Sequence, residues 1–264
     1  MKRAPATRSA LAVSEDERRR EFEDRWASGG LSFYNAFSDL LVDEKANATL
    51  DEFLKEKLRS RVRKPGVAEK LTPRGYPVLT RRLANDNGYA ETFDRDNVEL
   101  VDVTAEPIRH FTAKGLVVGE REIELDVIIF ATGFDMGTGA LARIDIRGRS
   151  GRSLEADLAQ GGWPHLGMMA TGYPNLFVMN GVGAPFYNPM VLCEQQGQWI
   201  LRCIDQMQQR GACTVEPTPE AVEAWSQYHD AVANMTLFTK GKNHYMGDNI
   251  DGKPRRSLYF WGGF

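Results

Sequence analysis

Cysteine is scarce in this chain: Cys193, Cys203 and Cys213 are the only three among 264 residues, evenly spaced along the C-terminal third. An odd, regular set fits neither a disulfide framework nor the C-x-x-C pairing of a structural zinc site. The three read as reduced thiols of a reducing compartment, which points to the cytoplasm, with Cys193 and Cys203 as small core fillers on a helix. Long apolar runs are missing too. The longest, Val127-Ile128-Ile129-Phe130-Ala131, falls far short of the roughly 18 residues that span a bilayer, so no membrane partner is expected. Nor is there a basic excess. Against 33 Lys and Arg stand 36 Asp and Glu, a net charge of −3, which leaves no electrostatic footprint for nucleic acid.

Self-contained catalytic motifs are absent as well. The sequence holds no H-E-x-x-H, no G-x-S-x-G and no Walker loop, and its four histidines, His110, His165, His229 and His244, are scattered. No metal site is expected. Gly181-Val182-Gly183 suggests a dinucleotide fingerprint after a strand, but the third glycine position holds Phe186 and Pro185 sits inside the turn. It is therefore rejected as a primary phosphate site.

What is present reads in order. Residues 1–13 form a basic, Ala-rich stretch without acids, expected as a disordered lead-in. Ser14 followed three residues later by Glu17 is a capping pair that starts a helix, and Gly29-Gly30 ends it. Apolar residues at three- and four-residue steps from Leu31 to Val62 predict two amphipathic helices joined by a turn at residues 43–49. Residues 14–78 thus make a helical subdomain, and Pro65, Gly66, Pro73, Gly75 and Pro77 mark its exit.

Beyond it, residues 98–103 are β-rich, residues 108–112 and 115–118 suggest a hairpin around Ala113-Lys114, and residues 122–126 alternate polar with apolar. Residues 126–134, a β-branched run ending in Ala131-Thr132-Gly133-Phe134, predict a parallel strand buried on both faces. Its carboxyl end is expected near a ligand, with Gly133 allowing close backbone approach. Residues 175–180 read as a second strand, followed by the Gly181 to Gly183 turn and a helix over residues 189–209 whose amino end could face a polar ligand atom. A last helix is expected over residues 219–235. Composition and spacing stop at an α/β piece with a helical subdomain and a ligand crevice.

Several motifs then occur together in one order. Leu71-Thr72-Pro73-Arg74-Gly75-Tyr76-Pro77, Arg81-Arg82-Leu83, Thr92-Phe93-Asp94-Arg95-Asp96-Asn97-Val98, the Asp126 to Asp135 stretch with its A-T-G-F-D, Gly172-Tyr173-Pro174-Asn175-Leu176-Phe177 and Gly247-Asp248-Asn249-Ile250-Asp251-Gly252-Lys253 resemble the second half of the Baeyer-Villiger monooxygenases. The resemblance runs from about residue 14 to the end. It implies the C-terminal part of a flavoprotein with two dinucleotide-binding domains, residues 79–140 belonging to the NADPH domain and linker and residues 141–264 to the FAD domain. It implies FAD and NADPH as cofactors, and O2 and a ketone as substrates of an oxygen insertion that gives an ester or lactone.

The resemblance makes Arg82 the active-site arginine, a permanent cation for the family's anionic flavin peroxide. It makes Thr132, Gly133, Gly181, Gly183 and Asn188 the residues lining the flavin crevice. His244 stands where the family carries a tryptophan, on the nicotinamide side. Two Gly-rich fingerprints and the signature F-x-G-x-x-x-H-x-x-x-W-P do not occur here, so the resemblance implies a C-terminal portion of such an enzyme, by truncated gene, split gene or incomplete gene model, the split gene placing the missing N-terminal half on a separate chain. The alternatives are a flavin-containing monooxygenase that oxidises nitrogen or sulfur directly, and an inactive remnant acting as an interaction protein.

Overall fold

The computed structural model describes residues 6–161 and 164–263 and divides into two compact units. The first comprises the described residues up to Ser38, Ala48–Gly75 and Arg82–Gly133; the second comprises Asp39–Asn47, Tyr76–Arg81 and the described residues from Phe134 on.

In the first unit the lead-in is bonded to the fold where it is described, contrary to the expected disorder. Ser38 N–H donates to the Arg8 carbonyl at 2.9 Å, Arg18 holds the Ala10 carbonyl, and Ala10 is fully buried. Residues 1–5 lie outside the described residues. Helix α1, Glu15–Ser28, starts as expected: the Ser14 side chain accepts from Glu17 N–H, and Gly29 closes the helix at a φ of 63°. The helix expected next is replaced by a short 3-10 turn, Ser32–Asn35, followed by further turns. Helix α2, Glu44–Arg61, begins inside the expected turn because the Asp43 carboxylate accepts from the N–H groups of Lys45 and Ala46 and so acts as its cap. The four-residue spacing of Phe33 and Phe37 serves a cluster and not a helix: both rings pack on Phe22, with Phe53 5.4 Å from Phe22.

Two one-turn helices follow, α3, Val67–Leu71, and α4, Tyr89–Thr92, with Ala68 and Ala90 packed against Val62. Arg61 pairs with both Asp86 and Glu91, and the N–H groups of Arg63 and Lys64 donate to Asp94. The expected hairpin is present as β1, Ile108–Phe111, and β2, Gly115–Val118, and β3, Arg121–Glu124, adds an antiparallel third strand in the order β1-β2-β3.

Two expected strands of this unit do not form. Residues 98–103 end in a turn, in which the Asp102 side chain accepts from Thr104 N–H and its carbonyl from Ala105 and Glu106. Residues 126–133 make no strand, although their sequence suits one. Val127 is 73% exposed and Ile129 87%, and among the described residues this stretch makes no hydrogen bond. A strand exists only with a ladder partner, and the sheet of this unit stops at β3.

The second unit is tied by Asn47, buried on the first turn of α2. Its Nδ2 donates to the carbonyls of Leu40 and Val78, both at 2.8 Å, and its Oδ1 accepts from Val78 N–H. Two short helices, α5, Gly139–Ala142, and α6, Leu154–Ala159, precede the expected strand at residues 175–180. That strand is absent as well. Asn175 and Asn180 sit at φ values of 60° and 52°, and this left-handed backbone interrupts an extended run at both ends. Helix α7, Pro189–Gln209, has the expected bounds, and α8, Pro219–Asn234, matches within one residue. The C-terminal segment lies beside the Gly-rich turn: Gly183 N–H donates to the Leu258 carbonyl, and Phe260 N–H to that of Ala184, both at 2.9 Å.

Candidate functional site

In the first unit Arg82 is exposed and lines a cavity of about 420 Å³ with Gly30, Leu31, Leu83, Ala84 and Asn85. Asn85 holds that wall in place by accepting from Gly30 N–H at 2.8 Å. Among the described residues the Arg82 guanidinium makes neither an ion pair nor a hydrogen bond, so its five donors remain open to an anion. Its neighbour Arg81, assigned to the second unit, is fully used: it lies 4.0 Å over the Tyr76 ring and donates through Nε and Nη2 to the Lys242 carbonyl. The sequence alone gives no way to tell these two arginines apart.

Thr132 and Gly133 are exposed at the end of the unpaired stretch and do not share the Arg82 cavity. Gly133 has a φ of 92°, and a Cβ there would meet nothing within 4 Å. The glycine is required by backbone conformation, not by a crowded neighbour.

In the second unit Gly181 and Gly183 are buried. A Cβ on Gly181 would lie 2.6 Å from the Gly167 carbonyl oxygen, so glycine is demanded there by the loop packed on it. Asn188 is the cap of α7: its side chain accepts from Met190 and Val191 N–H, and its carbonyl from Leu192 N–H. Pro189 has no N–H to give. The amino end of α7, expected to face a ligand atom with free donors, therefore spends them on its own cap. His244 is half-buried in the 3-10 turn His244–Met246, its ring centroid 4.1 Å from that of Tyr245. Burial pushes its pKa down and the Arg81 charge adds to this, so the ring is neutral at pH 7. One strand of backbone joins the set. Gly183 bonds the Leu258 carbonyl, and Leu258 N–H bonds the Tyr245 carbonyl at 2.7 Å.

Sequence reasoning missed an aromatic wall along that seam. Phe186 packs on Tyr245, Tyr259 and Trp261, with centroids 4.7 to 5.4 Å apart, and Trp261 stacks on Phe238 at 3.5 Å with the planes 13° apart. Its only signal was the aromatic density of Leu258-Tyr259-Phe260-Trp261. The wall offers an apolar surface beside the turn. The three cysteines are free; Cys193 and Cys203 are half-buried rather than core fillers, and Cys213 is exposed. Among the described residues no cluster of His, Cys, Asp or Glu could hold a metal, and no helix is long and apolar enough to cross a membrane.

No family model matches the chain. Curated relatives do. The chain is 38% identical over 256 residues to an acetone monooxygenase (methyl acetate-forming) of Gordonia sp. (strain TY-5), covering 95% of this chain and 48% of that protein. It is 36% identical over 258 residues to a phenazine N-monooxygenase of Lysobacter antibioticus, covering 97% and 47%. Among solved structures, cyclohexanone monooxygenase from Rhodococcus sp. Phi1 bound to NADP+ superposes with a TM-score of 0.92 at 38% identity, over 98% of this chain and 49% of that one. The chain spans about half the length of the curated relatives it matches. These likenesses are all to monooxygenases. Among them the chain is similar to Baeyer-Villiger monooxygenases over about half of their length, one of them from Pseudooceanicola batsensis at 38% identity over 257 residues, covering 96% of this chain and 47% of that protein.

Proposed function

We propose that this chain serves a Baeyer-Villiger oxidation, the insertion of one oxygen atom of O2 into a ketone to give an ester or lactone, with Arg82 as the cation at the reacting centre. The observation that carries the reading is the open guanidinium of Arg82 on a cavity wall, without a competing acid among the described residues. Arginine stays charged at any working pH. At about 4 Å and an effective dielectric near 20, its attraction for an anion is about 4 kcal/mol, enough to decide whether a negatively charged oxygen species is held beside a carbonyl.

FAD and NADPH, the cofactors this reading requires, supply the reducing equivalents and the activation of O2. The residues present do not by themselves fit either one. Both Gly-rich phosphate loops are absent from the sequence, and the N–H groups at the start of α7 are engaged by Asn188. The chain therefore works with a dinucleotide-binding half, on the same polypeptide or a separate one, in the cytoplasm. The unpaired apolar stretch at residues 126–133 supports this, because it offers an unused ladder to such a half.

A second reading, direct oxidation of a ring nitrogen, is favoured by the likeness to the phenazine N-monooxygenase and would not need Arg82. A third, an interaction protein without activity, rests on the missing fingerprints.

The isolated chain should emerge from purification without flavin. Together with a polypeptide carrying both fingerprints it should retain FAD and convert ketone to ester with NADPH consumption. A stoichiometric yellow complex of the chain alone would overturn the division of labour.

A further inference from the structure

One stripe of α7 faces a second cavity, on the second unit, that the ketone reading leaves without an occupant. Leu192, Gln195, Gln196, Trp199 and Arg202 recur at three- and four-residue steps, so their side chains leave the helix on one side, and all five line a cavity of about 330 Å³. The opposing wall is apolar, made chiefly by Met168, Trp225 and Phe260. Trp225 and Phe260 pack on each other with ring centroids 4.9 Å apart, which fixes that wall. The volume is at the small end of the roughly 300–1,000 Å³ typical of ligand sites, the size of a single ring or a short acyl chain.

The polar groups select the ligand's charge. Gln196 is buried, and its Oε1 is committed to Asn180 N–H at 2.8 Å, so it serves the fold. Arg202 is not committed: among the described residues it makes no ion pair and no hydrogen bond. No Asp or Glu lines the cavity, so a cationic ligand would find no counter-charge there. A neutral ligand would leave the guanidinium unused, and a dianion would bring a second charge against an apolar wall. A carboxylate matches the planar fork of one arginine in charge and geometry.

We propose that this cavity is a binding site for a small free monocarboxylic acid, its carboxylate on Arg202 and its hydrocarbon body between Trp199 and the Trp225–Phe260 wall. The proposal is independent of the ketone reading, since it uses neither Arg82 nor a flavin.

The test uses the complete protein that contains this chain and needs no turnover. Cyclohexanecarboxylate is titrated while tryptophan fluorescence is followed, because Trp199 and Trp225 are both in the walls. A saturable change is expected, with the acid binding about tenfold or more tightly than its methyl ester. Added salt should weaken the acid but not the ester. Arg202→Gln, a change at an exposed helix position, should leave the ester unaffected and abolish the preference. Three results would overturn the proposal: no saturation at millimolar acid, equal affinity for acid and ester, or a preference that survives Arg202→Gln.

Discussion

Mild acid should destabilise this protein through its histidines, and His229 carries the largest part. Its side chain is fully buried against Trp225 and Phe260, and neither ring nitrogen has a hydrogen-bond partner among the described residues. Asp230 is the nearest acid, with Oδ1 3.6 Å from Nδ1, too far for a good hydrogen bond, and Arg256 holds that carboxylate from the other side. Burial therefore prevails over Asp230 and pushes the folded-state pKa below the ordinary histidine value. Burial acts in the same direction on His165 and His244, both half-exposed.

The sign follows from proton uptake. Below a pH of about 6.5 the unfolded chain binds a proton at His229 that the folded chain refuses, so stability falls with falling pH until the folded pKa is reached. Within that window the loss from His229 is at most about 1.4 kcal/mol for each pH unit, the limit for one proton. For a protein of this size that upper limit corresponds to a fall in Tm of about 3–6 °C per pH unit. The carboxylates Glu56, Glu91 and Glu99, held low by hydrogen bonds from Arg19, Arg61 and Arg121, lose their contribution only at lower pH and do not enter this window. Urea unfolding at about pH 7.5 and about pH 5.5 measures the difference, and His229→Leu should flatten it. Stability that stays level or rises on acidification would refute the reasoning.

Two further substitutions probe the fold. Asn47→Ala leaves the carbonyls of Leu40 and Val78 and the Val78 N–H without their partner, and chemical denaturation should register a loss of about 2–4 kcal/mol. Phe130→Asp, at a position 67% exposed, should change the stability of the isolated chain by no more than about 0.5 kcal/mol while reducing its binding of a hydrophobic dye. Undiminished dye binding would mean that the apolar surface lies elsewhere.

Elements defined by their own ends were legible. Helix α7 announces itself through a regular apolar period, and α1 through Ser14 and Glu17, because helical faces and caps are local properties. Strands are not local. Residues 126–133 have the composition of a buried strand and lie bare, since a ladder depends on a neighbour that no spacing within the segment can reveal. Residues 175–180 failed for a different reason: asparagine tolerates left-handed backbone, and both ends of the run adopt it.

The site was legible only in part. Arg82 was singled out by resemblance, and nothing in composition separates it from Arg81; the contrast arises from Tyr76 and the Lys242 carbonyl, which occupy one arginine and leave the other open. The buried glycines were visible as glycines, but the reason for Gly181, the Gly167 carbonyl against it, is a tertiary contact. Likewise the capping role of Asn188 explains why α7 keeps no donors for a phosphate.

The most direct test of the central claim is Arg82→Ala in the complete protein containing this chain, with the two half-reactions measured separately. Reduction of FAD by NADPH should proceed near the parental rate, since hydride transfer does not require this cation. Ester or lactone formation should fall by about a thousandfold, the equivalent of about 4 kcal/mol of lost attraction. Arg82→Lys should restore only part of it, because an ammonium keeps the charge without the planar fork. Ester formation by the alanine variant at the parental rate would contradict the role of Arg82 and put direct heteroatom oxidation in its place.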